Sequence, residues 1–347
     1  MKKIYRIGII GTGAIAIKHA QAIGSLSNAE LIGLFNPNPK SASKAKDKFS
    51  APVFSNWEAF ISLSDLEVIC ICTPSGLHLD PALKAIEAGK HIFVEKPIEV
   101  TLDRADQLIQ AAEEKKVKLG VVFQNRFSPD FIQLNEAVKT GVFGRILMGN
   151  AAINWFRDTN YYSSSQWKGT LEFDGGGALI NQAIHTLDLL LEVMGDVDSV
   201  FGKVKTTLYP IEGEDLGAAL VNFKSGAIGT ITAGTSLFPG YPERLEIYGT
   251  EGSAILEAGK LIAWNIRGKE SSIERVATTS ASGSSDPNAI GFELHAKQWA
   301  DFLDSIETGN DPEVNGQKSR KSLELIRAIY QSSKKEKLIQ FPFSEEK

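Results

Sequence analysis

The sequence predicts an α/β protein: an N-terminal doubly wound parallel sheet, followed by an α+β domain with a large, mostly antiparallel open sheet. Three observations carry that expectation. Apolar strand-like runs alternate with helical patterns through the first third of the chain, and such βαβ alternation implies parallel strands joined by crossover helices. The texture changes after Phe123. Over residues 197–264 strand-like runs follow one another at short spacing with turn signals between them, a pattern that favours antiparallel pairing.

In order, strands are expected at residues 5–10, 29–35, 68–73, 91–94 and 118–123, separated by helices at 14–26, 41–49, 80–88 and 102–115. A helix over 130–140 and a strand over 146–153 follow. The polar, aromatic-rich stretch 154–177 reads as a loop. Glycines 175–177 then precede apolar residues at helical spacing as far as Met194. Further strands are expected at 199–206, 216–223, 227–236, 244–248, 254–257 and 260–264. Residues 271–287, rich in Ser, Thr and Gly, read as an exposed loop. Helices over 292–308 and 316–333 and a short apolar strand over 338–343 complete the chain. A boundary near residue 123 divides it into domains 1–122 and 123–347.

The bulk properties agree with two globular domains. The chain has 347 residues, 43% of them hydrophobic, enough for sizeable cores. Its formal charge is −5, without a long basic stripe, which argues against nucleic acid as a partner. No run approaches the roughly 18 consecutive apolar residues that cross a bilayer. The start, MKKIYRIGIIGTG, has lysines and apolar residues, but Arg6 interrupts it and glycines follow directly; it reads as a first strand of a cytoplasmic protein rather than a leader. Cys70 and Cys72 are the only cysteines. They point to one face of a strand and read as buried free thiols, with no metal site expected.

Gly11-Thr12-Gly13-Ala14-Ile15-Ala16 follows an apolar strand and opens a helix, the context that a dinucleotide-binding fingerprint requires. Gly11 would permit the tight turn, Gly13 a close backbone approach to a pyrophosphate, and Ala16 close helix-to-strand packing, with phosphate charge at the helix N-terminus. A merely tight turn is the alternative. About 20 residues on, where an NAD site offers an acidic residue to the ribose, stands Asn36. Asn36 can still hydrogen-bond a ribose and would not repel a 2′-phosphate. Lys40 and Lys44 follow, so NADP stays open beside NAD, which is favoured. Thr73-Pro74 ends another strand, with His78 soon after; these could line the same cleft.

The run His91-Ile92-Phe93-Val94 delivers Glu95-Lys96-Pro97 to the carboxyl end of the parallel sheet, where open α/β sheets bind ligands. Lys96 either binds and polarises an oxygen there or only pairs with Glu95. Asn181 and His185 lie one helical turn apart on a shared face. His185 suits proton exchange near neutrality, and Asn181 could orient a hydroxyl; a structural histidine is the alternative. Asp188 is close enough in sequence to hold the His185 ring, or else it simply faces solvent. Arg157, Tyr162, Trp167 and Lys168 concentrate cations and aromatics that suit sugar rings, or else a domain interface.

In their order, GTGAIA, Thr73-Pro74 with His78, GKHIFVEKP, Gln124-Asn125-Arg126-Phe127, GGGALINQAIH and Tyr248-Gly249-Thr250-Glu251-Gly252 resemble the Gfo/Idh/MocA family of NAD(P)-dependent oxidoreductases over nearly the whole chain. The resemblance implies a Rossmann domain, then a substrate-binding and oligomerisation domain whose open sheet joins subunits into a homodimer or homotetramer. Helices 292–333 would pack back towards the first domain. It also implies hydride transfer between nicotinamide and a secondary alcohol or ketone of a sugar, nucleotide sugar or cyclitol. By resemblance Lys96 contacts the reacting oxygen, His185 is the acid/base, the Lys96-Pro97 bond is often cis, and Asn125 joins the cofactor-binding residues. Asn181 departs from the family's commonest residue, Asp, and is similar to the nucleotide-sugar 3-dehydrogenases. Redox-assisted glycoside cleavage and a non-catalytic NAD(P)-binding regulator are the alternative functions.

Overall fold

A computed structural model describes residues 3–269 and 291–345; the loop expected at 271–287 lies outside them. The chain divides into two compact units. One comprises residues 1–124 with 291–320, the other 125–290 with 321–347.

The first unit begins with β1 (Tyr5–Ile10), α1 (Ala14–Gly24), β2 (Ala29–Phe35), α2 (Pro39–Ala45), β3 (Val53–Phe54), α3 (Trp57–Ile61), β4 (Leu66–Ile71), α4 (Leu79–Glu87), β5 (His91–Val94), α5 (Leu102–Glu114) and β6 (Leu119–Val121). Its sheet has the order β3-β2-β1-β4-β5-β6, with every neighbouring pair parallel. Strands buried on both faces read as near-continuous apolar runs, and β1 and β4 do so. The order reverses between β1 and β4, which creates the crevice where doubly wound sheets take ligands.

The expectation missed β3 and α3, which are too short to show a period. It also began α2 two residues late. Asn38 accepts hydrogen bonds from Lys40 and Ser41 N–H, and Pro39, which needs no N–H partner, takes the first helical position.

The second unit contains α6 (Pro129–Lys139), β7 (Ile146–Asn154), α7 (Thr159–Ser163), α8 (Ile184–Met194), β8 (Val197–Lys205), β9 (Leu216–Phe223), β10 (Ile228–Gly234), β11 (Arg244–Gly249), β12 (Gly252–Glu257) and β13 (Lys260–Ile266). The helix α9 (Glu293–Thr308) belongs to the first unit. The division falls inside α10 (Gly316–Lys335), and β14 (Ile339–Gln340) ends the described structure.

The second sheet has the order β13-β12-β11-β7-β10-β9-β8-β14. Among the described residues, only β10 with β7 is a parallel pair within it. Residues along β9 alternate between buried and exposed, as half-covered antiparallel strands do. α8 packs on β7 and β11, while Phe201, Leu220 and Ile228 are exposed.

Two expectations for this unit need correction. Residues 154–177 are not simply a loop: Asp158 caps α7, and Trp155, Arg157 and Tyr162 are buried. The helical stretch ending at Met194 is not a single α-helix either. Its first turn, Ala178–Ala183, is π-helical, a wider i→i+5 winding that the apolar spacing does not distinguish.

The core of the first unit gathers Ile7, Ile9, Cys70, Cys72, Phe93, Trp299 and Phe302. α9 packs on α1, and the Trp299 and Phe93 rings lie 4.4 Å apart.

Candidate active site

Two clusters, one in each unit, carry the predicted site residues. In the first unit, the turn after β1 is built around a left-handed glycine. Gly11 has φ +104°, and a Cβ there would lie 2.5 Å from the Cys72 carbonyl oxygen, so no other residue fits. Gly13 differs. A Cβ there would meet no protein atom within 4 Å, although Gly13 immediately precedes α1. Its small size leaves room at the end of β1 and at the helix N-terminus, so this cradle fits a dinucleotide phosphate.

Thr12 is half-buried and its Oγ1 accepts from Asn36 Nδ2 at 2.8 Å, while Asn36 Oδ1 accepts from Asn38 N. Asn36 therefore closes the turns after β1 and β2 on each other. Ala14 is exposed and Ile15 half-buried.

After β4, the Thr73 hydroxyl donates to Leu77 O, and half-buried Pro74 carries the turn onward. The His78 ring lies between Thr73 O, at 3.1 Å, and Pro97 O, at 3.0 Å. Burial pushes its pKa down, so the neutral ring donates to one carbonyl at a time. His78 is thus a buried bracket that ties this turn to the segment after β5.

That segment holds Glu95, Lys96 and a cis Lys96-Pro97 bond. Glu95 is buried and Lys96 half-buried. Glu95 Oε2 accepts from the backbone N–H of Lys96 at 3.1 Å, and Oε1 lies 2.8 Å from His19 Nε2. Burial acts to raise the Glu95 pKa, but the His19 donor outweighs it, with Lys96 assisting, and holds the carboxyl below its ordinary range.

Trp299 Nε1–H donates to His19 Nδ1 at 2.9 Å. Burial opposes a charged His19, whereas Cys70 and Glu95 favour it and would carry its pKa to about 10. A second ring proton, however, would have to sit on Nδ1, where the indole N–H already points. The hydrogen bonds therefore assign a neutral His19 with its hydrogen on Nε2.

Donor atoms of His19, Cys70 and Cys72, and likewise of His19, Glu95 and His295, lie within 4.8 Å of one another. In the tautomer that Trp299 and Glu95 impose, His19 has no lone pair to offer an ion. Cys70 and Cys72 are buried free thiols.

The second cluster surrounds the π-helical turn. Asn181 is half-buried and donates Nδ2 to buried Asp174 at 2.6 Å. Its Oδ1 accepts from Gln182 Nε2, which also donates to Tyr161 Oη. Arg157 Nη2 donates to Gln182 Oε1, and its guanidinium stacks 4.8 Å from the Trp155 ring and 5.4 Å from that of Tyr161.

Lys168 Nζ sits 3.9 Å from the Tyr161 ring centre and donates to Tyr161 O. Desolvation lowers its pKa, with Asp174 opposing. Trp167 is half-buried. Tyr162 lies in the core, its Oη hydrogen-bonded to Thr235 Oγ1. The cations and aromatics of this stretch therefore form one packed network with Asn181.

His185, half-buried, stands at the start of α8. The expectation that Asp188 reaches its ring is corrected: Asp188 is fully buried and accepts from Arg126 Nε and Nη2 at 2.6 and 2.8 Å and from Ser322. Asn125, half-buried, lies with Arg126 in the short helical turn Gln124–Phe127.

Glu214 caps the π-helical turn by accepting from Gly177 N, Leu179 N and Tyr330 Oη. Sequence reasoning missed His19, Trp299, Asp174 and Glu214. Only His19 carried a signal, three residues from Ala16 and from Ala22 on the inward face of α1.

A model of the oxidoreductase family with an NAD-binding Rossmann fold matches residues 5–123, and one of the GFO/IDH/MocA C-terminal domain matches residues 131–255. The chain belongs to the Gfo/Idh/MocA family. It is an NAD(P)-dependent oxidoreductase of the dehydrogenase kind, with an NAD-binding Rossmann fold.

Within the family, the chain is 24% identical to a myo-inositol 2-dehydrogenase of Thermotoga maritima over 94% of its own length and 96% of that protein. A D-glucoside 3-dehydrogenase of Escherichia coli is 31% identical over 55% of this chain and 54% of its own. The WlbA dehydrogenase of Bordetella pertussis, solved with NADH and UDP-GlcNAcA, superposes with a TM-score of 0.87 at 29% identity, covering 99% of each chain. Among the described residues, no helix is long and apolar enough to cross a membrane.

Proposed function

We propose that this dehydrogenase oxidises a secondary alcohol of a sugar, nucleotide sugar or cyclitol, reversibly, with Lys96 and His185 as its catalytic residues. The observation that carries the reading is Gly13, whose missing side chain leaves open space where a phosphate fits, in the unit that also carries Lys96 beyond β5. The nicotinamide supplies the hydride acceptor. Gly11, Thr12, Gly13, Ala14, Ile15 and Asn36 hold the dinucleotide. Thr73, Pro74, His78, Glu95 and Asn125 complete the cofactor-binding set, His78 by bracing its turn.

Lys96 binds the substrate oxygen and stabilises negative charge as the hydroxyl proton leaves; a fixed cation helps most where charge develops in the transition state. His185 takes that proton, as a ring titrating near neutrality can. Asn181, with its amide fixed by Asp174, directs Oδ1 as an acceptor towards substrate hydroxyls. Trp167 and Lys168 contact the sugar, and Arg157 and Tyr162 support them from the core.

Nucleotide sugars stand first among the candidates. Asn181 supports this, as does the 29% identity to a dehydrogenase solved with UDP-GlcNAcA. We also place subunit contacts on the exposed face bearing Phe201 and Leu220, which are register partners, and assign the protein to the cytoplasm.

The test is a screen of sugars, cyclitols and nucleotide sugars for NADH formation, followed by Lys96→Ala and His185→Asn on any substrate found. Lys96→Ala should lower turnover by about 3 kcal/mol in barrier height with NADH affinity retained. Wild-type turnover in Lys96→Ala would refute its role, and an unchanged pH profile in His185→Asn would refute the acid/base. Cofactor binding without reduction by any of these compounds would favour a regulatory protein.

A further inference from the structure

Behind Lys96 lies a buried chain to which the reaction above assigns no role. His19 on α1 and Trp299 on α9 are both fully buried, and 280 residues separate them in sequence. An indole N–H only donates, so its bond to Nδ1 leaves the His19 hydrogen on Nε2, facing Glu95 Oε1. Glu95 Oε2 in turn accepts the backbone N–H of Lys96. The His19 ring is hemmed in edge-on by Phe93, His295 and Trp299, at centroid distances of 6.0, 5.3 and 6.0 Å.

We propose that Trp299 and His19 are positioning residues for Lys96 and act through Glu95. The inference rests on the reading of Lys96 as the cation at the reacting oxygen. With its hydrogen on Nδ1, His19 would turn a lone pair towards the carboxylate. Glu95 would then be buried without that donor, a situation that favours the protonated acid. A neutral Glu95 offers Lys96 no opposite charge. With the donor in place the carboxylate stays ionised, held to the backbone N–H of Lys96, and an opposite charge beside Lys96 favours the ammonium.

The other titratable groups near Glu95 leave this pair undisturbed. His295 on α9 is pushed down to about 4, chiefly by burial, and His78, ahead of α4, is also kept neutral by burial. Burial pushes the Cys72 thiol, just past β4, up. Beside a neutral His19, Cys70 has no cation to favour a thiolate. Lys18 on α1 acts on His295.

The test follows Lys96 directly. Lysines carrying isotope-labelled dimethyl groups are titrated by NMR, with the Lys96 signal identified by its loss in Lys96→Arg. Glu95→Gln should lower the Lys96 pKa by about one pH unit, and Trp299→Phe and His19→Asn should lower it in the same direction. An unmoved Lys96 titration in the folded Trp299→Phe protein overturns the proposal. In the wild type, nitrogen NMR should show His19 neutral with its hydrogen on Nε2; a protonated ring or the other tautomer overturns it without any variant. If the Lys96 titration moves as stated but Lys96→Ala retains turnover, the positioning chain stands and the catalytic reading of Lys96 falls.

Discussion

Asn181 donates its amide to the buried carboxylate of Asp174 across 2.6 Å, so the position where the family most often carries Asp is here paired with an Asp seven residues upstream. Asn181→Asp would set two carboxylates at hydrogen-bonding distance, where both cannot be ionised, and one pKa must rise. A carboxyl whose folded pKa is raised stabilises below its unfolded pKa, and that stability is lost as pH rises through the folded value. Asn181→Asp should therefore match the wild type in acid and fall below it at neutral pH, by on the order of 2 kcal/mol. Denaturant melts across pH check this; a deficit independent of pH would refute the shared proton.

The two glycines of the first turn should separate fold from ligand. Gly11→Ala faces both a positive φ and a backbone carbonyl at 2.5 Å, so it should lower thermal stability measurably. Gly13→Ala meets no protein atom and should melt like the wild type. It should nonetheless weaken NADH binding tenfold or more, about 1.4 kcal/mol, in a fluorescence titration. Unchanged NADH affinity in Gly13→Ala would show that the space at Gly13 does not serve the cofactor.

These positions show what the sequence made legible. The βαβ alternation and the close-set later strands gave the two sheets, and β2 and β9 fall on the expected bounds, Ala29–Phe35 and Leu216–Phe223. Both runs are apolar or alternating, and their period survives in any context. The glycine turn was legible because its reasons are local. What stayed hidden depends on partners distant in the chain. A buried carboxylate goes to the cation that reaches it, so Asp188 pairs with Arg126, 62 positions upstream, rather than with its neighbour His185. The π-helical turn has the apolar spacing of an α-helix, and its cap, Glu214, lies beyond β8. Trp299 reaches His19 only because α9 returns to α1.

Arg126 offers a test of that distant pairing. Asp188 has no solvent exposure and takes two hydrogen bonds from the guanidinium, which also binds Glu192. Burial pushes the Asp188 pKa up, with Arg126 opposing. Arg126→Met should leave that buried charge without its cation and cost about 3–5 kcal/mol of unfolding free energy. Adding Asp188→Asn should recover part of it, because the stranded charge is gone. If the double variant were less stable than Arg126→Met, the pair would not be the source of the loss.

Glu214 makes stability depend on pH. Burial pushes its carboxyl up to about 7, with the N–H groups of Leu179 and Gly177 and the Tyr330 hydroxyl opposing. The folded pKa thus lies above the ordinary value of 4.5, and the protonated acid is the form that folding favours. Its contribution is fully present below about pH 4.5 and declines as pH rises through about 7, amounting to about 3 kcal/mol at 1.36 kcal/mol per pH unit. Glu214→Gln keeps one acceptor for Leu179 N–H and Tyr330 but cannot ionise. Melting temperatures recorded across this window should therefore fall with pH more steeply in the wild type than in Glu214→Gln. Parallel curves would show that Glu214 is already ionised in the folded protein throughout the window.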